Sequence, residues 1–78
     1  MTELPNGRVV EVSNGKKTIS MRISGGTAEI QMRVGDDAFV VIASTAKTAD
    51  ADFNIEVPDC DLKAVTTGTA TVKISTVS

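Results

Sequence analysis

The sequence predicts an all-β fold, a small sandwich of about seven antiparallel strands joined as a meander of hairpins, with a closed barrel as the alternative. Three observations predict it. Apolar residues recur with a period of two, Gly and Asn/Asp turn signals punctuate the alternating segments, and no stretch carries a sustained helical period. At 78 residues the chain makes one domain, 1–78, because single cores are usually built from about 100–150 residues. Residues 1–6 are expected to form a flexible tail.

Each segment earns its assignment separately. In Thr18 to Ile23 the apolar Ile19, Met21 and Ile23 alternate with polar neighbours, and in Ala28 to Val34 so do Ala28, Ile30, Met32 and Val34. Phe53, Ile55 and Val57 repeat the pattern, as do Ala70, Val72 and Ile74. Arg8 to Ser13, Ala38 to Ala43 and Leu62 to Thr67 are richer in valine and of strand length. Ala43 to Ala51 contains four alanines, but its Ser, Thr and Asp residues and its shortness favour a loop over a helical turn.

Asn14-Gly15, Gly25-Gly26 and Gly35-Asp36-Asp37 all tolerate positive φ and predict tight turns, which would make the first four strands a meander. Turn position then sets register. A tip at Gly25-Gly26 places Ile23 opposite Ala28, Met21 opposite Ile30 and Ile19 opposite Met32, with Arg22 facing Glu29 on the polar side. A tip at Gly35-Asp36 places Met32 opposite Phe39, Ile30 opposite Val41 and Ala28 opposite Ala43. Both phenylalanines, Phe39 and Phe53, then point inward, while Val40 and Ile42 are left on the outer face. That apolar remainder predicts either a covered central strand or a subunit interface at Val40, Ile42 and Val65. A domain of this size gains little net stability from its core, since ordering costs on the order of 1.5 kcal/mol per residue against about 25 cal/mol per Å² of apolar burial. Homo-oligomer formation would offset this and cover the sheet edges.

The chemistry on offer is sparse. There is no His, Trp or Tyr, so the commonest general base is missing and neither a Ser/His/Asp nor a Cys/His arrangement can be assembled within one chain. No enzymatic activity, cofactor or small-molecule substrate is expected. The net charge of −2 gives no general attraction to phosphate or anionic lipid, so neither nucleic acid nor membrane is an expected partner. No apolar run approaches the roughly 18 residues that span a bilayer, and Met1 to Asn6 lacks the build of a secretory signal. An OB-fold surface would need stacked aromatics between basic residues, and the basic pair Lys16-Lys17 reads as a solvated turn. Lys47 lacks the flanking pattern of a biotinyl or lipoyl carrier and reads as a solvated loop lysine. Cys60, alone and flanked by Asp59 and Asp61, reads as a small buried side chain whose thiolate is disfavoured. The pairs Asp50/Asp52 and Asp59/Asp61 point to one side in extended backbone and could hold calcium, although neither lies in an EF-hand loop.

The cadence of Gly26 to Ile42, of Ala51 to Gly68, and of the closing Ala70 to Ser75 resembles that of small β-sandwich virion proteins of tailed bacteriophages. In that group a strand runs into a Gly/Asp hairpin, then an apolar strand, a Thr/Ala/Asp loop, a strand ending near Pro and Cys, and a last strand after Thr-Gly. The likeness covers about residues 26–75 and transfers no functional residue. It implies a structural subunit for capsid decoration, head or tail attachment, or a fibre, meeting its own copies and other virion proteins and assembled in the host cytoplasm. The alternative is a binding module for a cell-surface glycan or protein, assisted by calcium at the four aspartates.

Overall fold

Period-two patterning gives each of these segments one apolar face, and in the computed structural model, which describes residues 1–75, those faces meet between two sheets. Eight strands form: β1 (Thr2–Glu3), β2 (Val9–Val12), β3 (Gly15–Ile23), β4 (Ala28–Arg33), β5 (Val40–Val41), β6 (Ala51–Val57), β7 (Cys60–Thr66) and β8 (Ala70–Ile74). There is no helix among the described residues. The first sheet has the order β1-β8-β3-β6, the second β2-β7-β4-β5, and every pairing is antiparallel. The sheets are open and separate, so the fold is a sandwich and not a barrel. Ile19, Met21 and Ile74 from the first sheet and Ile30, Leu62 and Ala64 from the second fill the core. Each large aliphatic among them contributes roughly 1.5–3 kcal/mol through burial.

The first six residues do not trail as a tail. Thr2–Glu3 pair with Ile74 and Lys73, Leu4 donates its N–H to the Val72 carbonyl at 2.8 Å, and the Leu4 side chain lies in the core at 1% exposure. Leu4 is the buried anchor, and Asn6 Oδ1 accepts the Thr66 N–H at 2.9 Å beyond it.

The meander is replaced by a different topology. Asn14-Gly15 carries the chain from the second sheet to the first, and Gly25-Gly26 carries it back, so neither closes a hairpin. β3 instead lies between β6 and β8, with Ile19 opposite Phe53 on one side and Ile74 on the other, and Ile23 opposite Ala70. β4 lies between β7 and β5, with Ile30 opposite Ala64. Arg22 accordingly meets Asp52 at 2.8 Å, not Glu29. Turn chemistry fixes where the chain reverses but not whether it returns in its own sheet or in the facing one. Here the facing sheet wins because β7 and β8, more than 30 residues downstream, supply apolar faces to both.

The corner at Gly25-Gly26 packs directly on the turn between β7 and β8. Thr69 N–H donates to the Gly25 carbonyl and Thr67 N–H to the Thr27 carbonyl, both at 2.8 Å, while Thr27 N–H donates to Thr67 Oγ1 at 2.9 Å. Gly26, at φ +102°, lies so close to the Thr67 carbonyl that no Cβ would fit.

Among the described residues only β4 and β5 pair as sequence neighbours, and their register differs by one residue from the predicted one: Met32 faces Val40 and Gln31 faces Val41. The turn around Gly35 (φ +62°) is one residue longer than a two-residue tip, and a one-residue shift exchanges faces. β5 ends after two residues because Thr45 takes over its hydrogen bonding. The buried Thr45 hydroxyl accepts the Ile30 N–H at 3.1 Å and donates to the Ile42 carbonyl at 2.7 Å. Lys17 also departs from expectation. Because β3 already begins at Gly15, parity puts Lys17 with Ile19 and Met21 on the inner face, at 3% exposure.

Replacing Gly26 by alanine should lower stability by about 2–4 kcal/mol, through both strain and backbone collision. Gly7→Ala, at φ +78° but facing open space, should lose only about 1–2 kcal/mol. Urea midpoints at unchanged slope measure both. Equal losses would show that the Gly26–Thr67 approach is not special. Thr45→Val should cost about 1–3 kcal/mol by leaving the Ile30 N–H unsatisfied.

Candidate interaction face

The two outer faces differ in chemistry. On the first sheet, Thr18, Ser20, Arg22, Asp52, Asn54, Thr71 and Lys73 make a polar surface. Thr18 Oγ1 donates to Asn54 Oδ1 at 2.8 Å, and Arg22 binds Asp52 with two nitrogens, at 2.8 and 3.2 Å. That bidentate bond holds the Asp52 carboxyl below its ordinary value and raises the guanidinium. The pair is solvent-exposed, so it reports register more than it stabilises.

On the second sheet the strands alternate Leu62 and Ala64 inward with Asp61, Lys63 and Val65 outward. Lys63 faces Val9 on β2 and Gln31 on β4, and Asp61 faces Glu11 and Arg33. Arg33 donates to Asp61 Oδ2 at 2.8 Å through Nη2 and at 3.2 Å through Nε. Phe39 settles on this face, with Arg33 Cζ 4.6 Å and Lys63 Nζ 4.3 Å from its ring centroid. Each cation over this half-buried surface ring contributes on the order of 0.5–1 kcal/mol. Val9 and Val41 flank the cluster at 44% and 49% exposure, and Val65 lies half-buried beyond Lys63. The result is an aromatic ring held between cations and rimmed by valines.

The residues predicted for the interface are distributed unevenly. Val65 is on this outer face, opposite Glu29. Val40 is 58% exposed but shares the Met32 side of β5 at the sheet edge, and Ile42 is half-buried against the core. Ile42 is therefore not outward, a direct consequence of the register shift. Phe39, predicted inside, is outside for the same reason. Phe39, Val9, Val41, Arg33 and Lys63 escaped sequence reasoning because β7 brings β2 and β4 together only in three dimensions. The doubly apolar strand at Val40-Val41 was the available signal.

Phe53 does pack partly against the core, with Lys47 Nζ 5.2 Å from its ring centroid. Lys47 is thus half-buried and not a freely solvated loop residue; its backbone exchanges hydrogen bonds with Ala28 at 2.8 and 3.0 Å. The four candidate calcium ligands are spread apart on separate duties. Asp50 Oδ1 accepts the Ile23 N–H at 2.7 Å, Asp52 binds Arg22, Asp59 Oδ1 accepts the Asn14 N–H at 2.6 Å, and Asp61 binds Arg33. Among the described residues no three acidic, histidine or cysteine side chains converge. Cys60 is buried, and burial first, then Asp61 and Asp59, pushes its thiol up, with Lys17 opposing.

Fold and surface together define a small antiparallel β-sandwich with one polar and one aromatic-cationic outer face. No protein-family model, curated protein or solved structure matches the chain.

Cys60 should react with iodoacetamide far more slowly in the folded protein than in urea at neutral pH, because the raised thiol holds little thiolate. Equal rates would refute the burial. Asp52 should titrate below free aspartate and return toward the ordinary value in Arg22→Gln, as followed by carboxyl NMR. Its contribution to stability is present above the unfolded-state value and is lost as pH falls through the lowered one.

Proposed function

We propose that this chain is a non-enzymatic assembly subunit, a virion structural protein of the capsid-decoration or head/tail kind, which associates with its own copies through the outer face of the second sheet. The observation that carries the reading is Phe39 seated between Arg33 and Lys63, with Val9, Val41 and Val65 around it. Aromatic residues and arginine are enriched where interfaces are buried, and a half-buried ring already held in place loses little freedom on docking. Both charge signs are present on the face, Arg33 and Lys63 with Glu11, Glu29 and Asp61, so a second copy can set opposite charges against each other. An interface of standard size, about 800 Å² per partner, would take less than a fifth of the 4367 Å² surface. The cadence shared with tailed-phage β-sandwich subunits over residues 26–75 supports the virion setting, and a role in assembly asks nothing of reactive side chains.

Native mass measurement tests this reading. The parent should be an oligomer, and Val41→Glu with Val9→Glu should shift it to monomer while leaving the far-ultraviolet spectrum unchanged, since both side chains are on the surface. A monomeric parent, or an oligomer indifferent to the double substitution, would rule out this face.

A further inference from the structure

The four sheet edges are not equally protected. β1 and β5 are two residues long, and β2 four. β6 is a regular edge of seven residues. Its backbone can be assigned group by group. Ser75 N–H donates to the Thr18 carbonyl, and Thr18 N–H donates to Ser75 Oγ, so Thr18 turns its polar backbone groups toward the β8 side. In an antiparallel ladder the direction alternates along a strand. Lys17, Ile19 and Met21 therefore bond toward β6, where their opposites are Ile55, Phe53 and Ala51. The residues between, Asp52, Asn54 and Glu56, direct their N–H and C=O groups outward from the sheet.

This open ladder coincides with a run of charge. Residues 50–59 hold Asp50, Asp52, Glu56 and Asp59 and not one lysine or arginine, in a chain with eight. Pairing of β6 with the same strand of a second copy, centred on Asn54, would set Asp52 against Glu56 of the other molecule, which is unfavourable. Asp52 is held by Arg22 in its own chain, so the penalty is modest, but it disfavours self-pairing at the longest edge among the described residues. An incoming strand with cations on one face meets the opposite situation.

We propose that the β6 edge accepts, by strand addition, an extended segment of another polypeptide in which lysine or arginine alternates with apolar residues. Three outward N–H and C=O pairs supply the ladder. Cations align with Glu56 and with Asp52, which Arg22 already holds from one side, on the polar outer face, and the alternate apolar side chains extend the inner face beside the half-buried Phe53, whose ring also carries Lys47. This site is on the opposite sheet from the proposed assembly face and stands independently of it.

The test uses the full chain with a blocked heptapeptide of alternating lysine and valine, and one of alternating glutamate and valine as the control. With the lysine peptide at about ten times its Kd, exchange at the Asp52, Asn54 and Glu56 amides should slow about tenfold, with those of Ile55 and Phe53 unchanged. Affinity should fall with added salt and drop about two- to fivefold in Glu56→Gln. Asn54→Pro removes an outward N–H without breaking a rung to β3, and should abolish binding. Should that variant fail to fold, the exchange pattern and Glu56→Gln still decide. Equal binding of the glutamate peptide, protection at other edges, or no binding would overturn the proposal and leave the acids as a guard against self-pairing.

Discussion

Two corners of backbone, Gly25-Gly26 and Thr67-Gly68, lie against each other at one end of the sandwich, and this approach is the constraint on which the remainder of the fold depends. It brings the exit of β3 and the entry of β4 to the turn between β7 and β8. β3 can then run beside β8 in one sheet while β4 runs beside β7 in the other. Side chains at either corner would hold the sheets apart. Glycine provides both the positive φ and the missing Cβ, while Thr27, Thr67 and Thr69 satisfy the backbone groups that a corner leaves unpaired.

From this corner the pairing nests outward. β3 meets β6, β4 meets β7, β2 meets β7 and β1 meets β8, so nearly every rung joins residues distant in sequence. Such a chain cannot build its core one hairpin at a time; the apolar faces become useful only when both sheets are in place. Leu4 shows how far this reaches, since a residue four positions from the start is among the most buried. Thr45 shows the complementary requirement, that a strand ending inside the structure must hand its hydrogen bonds to a side chain.

The same topology divides the surface. β7, placed between β2 and β4, gathers Val9, Lys63, Gln31 and Arg33 into one outer face and gives Phe39 a place to rest. β6, placed at an edge, concentrates acidic side chains where backbone groups are unpaired. The first belongs to no single segment, and the second becomes an edge only through the strand order. The buried Lys17 and the raised Cys60 thiol occupy the interior and add no reactive group to either surface.

What the residues determined alone is local. Alternation in Thr18 to Ile23, Ala28 to Val34 and Phe53 to Val57 reports strands and their buried faces, since side-chain parity is a property of extended backbone. It placed Ile19, Met21, Ile30 and Ile55 inside, and the turn at Gly35 where the chain does reverse within a sheet. Partner choice was decided only by the tertiary structure. A glycine turn is equally suited to a hairpin and to a corner, and the difference lies in whether β7 and β8 offer better apolar faces than the neighbour in sequence. Once that choice sent β3 and β4 to opposite sheets, Arg22 found Asp52, the longer turn moved Phe39 outward and Ile42 inward, and the candidate face came into being from residues that no window of the sequence contains together.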